Sequence, residues 1–163
     1  MTAQAPFDGL LLRIGRLNYA WTNTESLLIH VIAGLAGTGK DPAVIIFLTL
    51  NTTRARIDLV ERLAKMEATP AAQRRRILDL TGRIVKHSAL RNHYNHSLYA
   101  FDPADGAART ITMRIADRKD DIRFGRPRAI DSAALADIDA AIASLSALNR
   151  DFWQAIHEFR FPV

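Results

Sequence analysis

Ten consecutive residues, Leu90 to Tyr99, read Leu-Arg-Asn-His-Tyr-Asn-His-Ser-Leu-Tyr and hold an arginine, two asparagines, two histidines and two tyrosines. Histidine gives or takes a proton near neutral pH. Arginine presents a planar, permanently charged fork that matches phosphate oxygens. Together these residue types suit acid–base chemistry beside a phosphate. Nowhere else does the chain concentrate side chains of this kind. Arg91, Asn92 and His96 are the candidate catalytic residues, and His87, His93, Tyr94, Asn95 and Tyr99 the candidate substrate contacts.

Apolar spacing shows which elements must position them. Leu10, Ile14, Leu17, Trp21, Leu28, Val31 and Leu35 recur every three or four residues, so a first helix is expected from Asp8 to Ala33, closed by Gly34, Gly37 and Gly39. A second is expected from Pro42 to Glu67, with Asp41 as its cap and Val44, Leu48, Ala55, Leu59, Leu63 and Met66 on its inner face. A third opens at Pro70 behind Thr69, since proline suits the first helical position. Its stripe, Ile77, Leu80 and Ile84, continues in register to His87, Arg91 and Tyr94. The period then drops to two: 97–101 and 109–115 read as strands, with a third at 122–124. Asp102-Pro-Ala-Asp-Gly106 is a turn signal between them. Asp131 caps a last helix to about Phe159, striped by Leu135, Ile138, Ile142, Leu145, Leu148, Phe152 and Ile156. The expected architecture is all-α: an up-and-down four-helix bundle in one domain, 1–163, with a small β-hairpin over about 97–124 between helices three and four.

Composition bounds the chemistry. There is no cysteine among the 163 residues, which excludes disulfides and thiolate catalysis. The net charge is +5, and 18 of the 22 basic residues are arginine, a balance compatible with a polyanionic partner. Arg74, Arg75, Arg76, Arg83 and Lys86 lie on the helix leading to Arg91, either as a solvated face or as a steering surface. The start carries no basic and apolar leader, and no apolar run is long enough to span a bilayer, so a cytoplasmic protein away from membranes is expected.

Two other stretches carry residue types that could form a site. Gly34-Leu-Ala-Gly-Thr-Gly39-Lys40 matches Gly-x4-Gly-Lys, but a helix precedes it and Asp41 stands where a phosphate-binding loop needs a hydroxyl; a helix cap and turn explains it. The histidines (His30, His87, His93, His96 and His157) have no carboxylate at helical spacing, so neither a metal nor another cofactor is expected. His30, in an apolar stretch, reads as a satisfied core or interface histidine. Glu25 reads as either an exposed carboxylate or the partner of an arginine on another helix.

Arg91-Asn92-His93-Tyr94-Asn95-His96, at the end of a third helix in a four-helix frame, resembles the signature of the HEPN superfamily (higher eukaryotes and prokaryotes nucleotide-binding domains): arginine, four to six residues, then histidine, with a polar residue after the arginine. Ser97 follows the histidine where a glycine is frequent, and Leu98 stands where some toxin members carry a tyrosine. The resemblance implies a dimeric helical bundle, often a metal-independent ribonuclease and often a toxin or defence effector with an antitoxin partner; other members are non-catalytic dimerising or ligand-binding modules. It implies His96 as general acid or base, Arg91 as phosphate stabiliser, Asn92 as orienting group, and RNA as substrate. On a regular helix Arg91 and His96 stand about 140° apart, so a composite site at a homodimer interface is expected. The alternative is a non-catalytic interaction or nucleotide- or nucleic-acid-binding module with these residues in a buried network.

Overall fold

A computed structural model describes residues 4–101, 107–113 and 115–163. The turn expected at Asp102–Gly106 lies outside the described residues, as does Arg114. Among the described residues the order is α1 (Gln4–Ser26), α2 (Leu28–Ala36), α3 (Lys40–Thr49), α4 (Thr53–Ala64), α5 (Ala71–Asn95), β1 (Ser97–Phe101), β2 (Ala108–Thr112), β3 (Ile115–Arg118), β4 (Asp121–Phe124), β5 (Pro127–Ala129) and α6 (Ser132–Glu158). The protein is predominantly helical, with a small antiparallel sheet.

Two expected helices are each divided, both for side-chain reasons. The first is interrupted at Leu27, whose N–H bonds back only three residues, to the Thr24 carbonyl at 3.2 Å. There the Thr24 hydroxyl donates to the Ala20 carbonyl and the Ser26 hydroxyl to that of Asn23. Hydroxyls that bond the preceding turn compete with the helical ladder. The second breaks at 50–52: Leu50 is extended, and Thr52 caps a new helix by accepting from the Ala55 N–H at 3.1 Å. This break resets the helical phase. Ala43 and Phe47, then Ile57, Val60 and Ala64, are buried, while Leu48 and Met66, assigned inward from sequence, are 63% and 54% exposed. The caps shift too. Gly39 and not Asp41 precedes α3, and Pro70 precedes α5, where its carbonyl accepts from the Arg74 N–H.

The chain forms two compact units, Met1–Tyr19 with Ser88–Ala143, and Ala20–His87 with Ser144–Val163. The boundaries fall inside α1, α5 and α6.

In the second unit, Trp21, Leu28, Val31, Ile32, Phe47, Ile57, Val60, Ile77, Leu80, Ile84, Leu145, Leu148, Phe152 and Ile156 form the core. α2 ends at Gly37, in the left-handed region (φ 62°) that glycine adopts without penalty. The chain end docks on α2: a Cβ at Gly34 would overlap the Phe161 ring, and His30 Nδ1 lies 2.7 Å from the Pro162 carbonyl. His30 is thus a satisfied core histidine, 8% exposed.

In the first unit, Leu10, Leu17, Tyr94, Ala134, Ile138 and Ala141 are buried. Arg13 pairs with Asp139 at 3.0 Å, joining the parts of α1 and α6 in this unit. Asp131 caps α6 as expected, accepting from the Ala134 N–H at 2.8 Å. The expected antiparallel pair is present as β1–β2, but β5 joins it to make a three-stranded sheet ordered β1-β2-β5, and β3-β4 form a separate ribbon. β1 and β2 pair with Ser97 opposite Thr112 and Tyr99 opposite Thr110. β2 then takes β5 with Thr110 opposite Arg128 and Ile111 opposite Pro127. Pro127, which has no N–H to give, sits on the edge strand, the position a sheet tolerates.

Candidate active site at the α5–β1 junction

α5 keeps its apolar stripe as the spacing predicts. Ile77, Leu80 and Ile84 are buried, His87 and Arg91 half-buried, and Tyr94 is 5% exposed. The helix ends because the next residues are drawn into a sheet. The His96 N–H still bonds the Asn92 carbonyl at 3.0 Å, while the His96 carbonyl accepts from the Met113 N–H at 3.0 Å. The backbone of His96 is therefore held by the helix on one side and by an extension of the β1–β2 ladder on the other.

Around this hinge the polar side chains separate into two groups. One faces the sheet and α5 itself. His93 Nε2 lies 3.0 Å from Thr110 Oγ1, and the imidazole meets the Tyr94 ring edge-on at 5.1 Å. The Ser97 hydroxyl donates to the His93 carbonyl, and the Tyr99 hydroxyl donates to the Tyr94 carbonyl at 2.7 Å. Burial, with the neighbouring Tyr94 phenol, pushes Tyr99 up to about 12. Burial is also the main cause raising Tyr94. Both phenols thus stay protonated at neutral pH. These residues build the junction.

The second group surrounds Arg91. Its Nη1 donates to Asn92 Oδ1 at 3.0 Å. Asn95, with its amide oxygen toward the guanidinium, accepts from Nε at 3.0 Å and Nη2 at 3.2 Å. Asn92 and His96 are exposed. Among the described residues the His96 imidazole makes no hydrogen bond. The segment therefore offers one anchored cation and one unengaged acid–base group, which is what proton transfer at a phosphate requires.

Of the residues assigned from sequence, the first unit brings together Arg91, Asn92, His93, Tyr94, Asn95, His96 and Tyr99. His87 belongs to the second unit, where its Nε2 lies 2.9 Å from the Ser144 hydroxyl. Asn18 on α1, within 3.0 Å of the Asn95 amide, was missed. Its only sequence signal is a polar residue directly after the buried Leu17. On the same helix as Arg91, Arg83 is engaged by Asp151 at 2.6 Å and Asp79 at 3.5 Å, so its charge is locally balanced. The Gly34–Lys40 stretch is a helix end and cap. Among the described residues no three metal-ligating side chains cluster. No helix there is long and apolar enough to cross a membrane.

Two imidazoles make stability depend on pH. Burial and then the Arg128 guanidinium lower His93 below 6.5. Burial, followed by Arg83 and Lys86, lowers His87 from the same value. The unfolded chain therefore binds more protons as pH falls through 6.5, and the stabilisation present above that value is lost below it. Urea unfolding is expected to show stability declining from about pH 7 to pH 5, with His93→Gln flattening part of the decline. An unchanged slope in the variant would rule out His93 as a contributor.

No protein-family model matches the chain, and comparison with curated proteins and with solved structures found no similar one.

Proposed function

We propose that the protein is a metal-independent endoribonuclease of the HEPN type that acts as a homodimer in the cytoplasm, with a composite site at the dimer interface. In this reading the frame is an up-and-down four-helix bundle, with α1–α2 standing for the first expected helix and α3–α4 for the second. The observation that carries the reading is His96. Among the described residues it is an exposed imidazole without a hydrogen bond, at the end of the helix that holds Arg91, on a backbone fixed from both sides.

In this reading His96 takes the proton from a ribose 2′-hydroxyl or supplies one to the departing 5′-oxygen. The 2′-oxygen forms its bond to phosphorus as the bond to the 5′-oxygen breaks. Arg91 stabilises the charge that builds on the phosphoryl oxygens. Asn92, exposed and bonded to Nη1, orients the arginine or a phosphate oxygen. His93, Tyr94 and Tyr99 support the wall of the site.

The test is cleavage of a mixed RNA pool in excess chelator. Wild type is expected to cut and Arg91→Ala to lose about 2.7–4 kcal/mol of transition-state stabilisation, roughly 10²–10³-fold in rate. Equal activity of the two would remove Arg91 from the mechanism. A second reading, a non-catalytic dimeric module that binds nucleotides or nucleic acid, draws on the internal hydrogen bonds of His93, Tyr99 and Asn95. Salt-dependent RNA binding without cleavage would favour it.

A further inference from the structure

Arg91 is gripped along one edge by a neutral side chain that is itself gripped from another helix. Asn95 lies four residues after Arg91 on α5, on the same face. Its Oδ1 receives both Nε and Nη2. The Nδ2 group then points away from the arginine and donates to Asn18 Oδ1 on α1 at 2.7 Å. The opposite amide orientation would aim N–H groups at a guanidinium that can only donate, so the network itself selects this one. Asn18 is half-buried, which limits its own freedom.

We infer that Asn18 and Asn95 are a positioning pair for Arg91, setting the plane of the guanidinium before any phosphate arrives. The catalytic consequence rests on the ribonuclease reading; the positioning itself does not. Asn95 thereby acts through Arg91 and not through contact with substrate. The amide chemistry matters. A carboxylate would hold the fork equally well but would cancel its charge, as Glu25 does beside Arg56 and Asp139 beside Arg13. An amide fixes the direction of the fork without bringing a negative charge of its own. Because Asn18 comes from α1, the aim of Arg91 depends on the docking of α1 against α5 within the first unit.

The test reads the Arg91 side chain directly. Its Nε–H resonance in a 15N-labelled sample is identified by its loss in Arg91→Lys, and its exchange with water is measured. Asn18→Leu, which keeps the size and removes the acceptor, is expected to accelerate that exchange about fivefold or more. Asn18→Asp, which still accepts from Asn95 Nδ2, is expected to stay within about threefold of wild type. Should Asn18→Leu not fold, Asn18→Ala carries the same comparison. In the cleavage assay, Asn18→Leu is expected to lower kcat roughly 10–100-fold with KM within about threefold, and Asn18→Asp to restore most of it. If wild type cuts no RNA, the ribonuclease reading fails and the exchange rates alone decide the positioning pair. Unchanged exchange in Asn18→Leu would overturn the inference whatever the cleavage result.

Discussion

Co-producing Arg91→Ala and His96→Ala chains, each inactive alone, is expected to restore RNA cleavage to roughly a quarter of the wild-type level. In a composite site the arginine of one copy works with the histidine of the other. A mixed dimer then contains one site with both groups intact and one with neither. Half of a random mixture is mixed dimer, which leads to the quarter. The physical ground is the local geometry of α5. It remains helical through Asn95, and five residues of helix place Arg91 and His96 about 140° apart. Alone, Arg91→Ala should fall about 10²–10³-fold and His96→Ala about 10²–10⁴-fold, the usual worth of a positioned acid or base. Two affinity tags, one per variant, isolate the mixed species. Purified mixed dimers without activity, made from chains whose wild-type parent cleaves, would show that both groups act within one copy.

Glu25→Leu is expected to destabilise the protein by about 3–5 kcal/mol, the cost of leaving a buried charge without its partner. Glu25 is 8% exposed, and its carboxylate accepts from three donors. Its Oε1 accepts from Thr53 Oγ1 at 2.6 Å and Arg56 Nη1 at 3.0 Å, and its Oε2 accepts from Trp21 Nε1 at 3.2 Å. Among the described residues Arg56 would retain the Phe47 carbonyl at 3.1 Å and the face of the Phe47 ring at 4.0 Å. At about 2–4 °C per kcal/mol for a chain of this size, the thermal midpoint should drop by roughly 10 °C. Adding Arg56→Met should recover much of the loss, because two apolar side chains of similar volume need no mutual compensation. A midpoint within about 2 °C of wild type in Glu25→Leu would show that the pair contributes little.

The helices were legible where one face stays buried without interruption. α6 follows its stripe through Ile138, Leu145, Leu148, Phe152 and Ile156, and α5 buries Ile77, Leu80, Ile84 and Tyr94 on its expected face. The divided helices were not legible, because both breaks arise from hydroxyl groups bonding nearby main chain at 24–27 and 50–52. Such bonds compete with the helix locally and leave the hydrophobic period nearly untouched. A slip of a few residues was enough to turn Leu48 and Met66 outward. The sheet was half legible: alternation marked β1, β2 and β4. The pairing of β2 with β5 depends on long-range contacts that no local period encodes.

Residue types and spacing by themselves determined where the candidate chemistry lies, because only one stretch combines arginine, asparagine and histidine at the end of a buried helical stripe. They also determined that the pieces of the frame are mainly helical. Tertiary structure alone decided which of those side chains are engaged. Thr110 occupies His93, the Tyr94 carbonyl occupies Tyr99, and Asn18 reaches Asn95 from α1. Hydrogen bonds between elements form wherever packing brings donor and acceptor within about 3 Å. That proximity is a property of how helices and strands dock, and the spacing of residues along one helix carries no record of it.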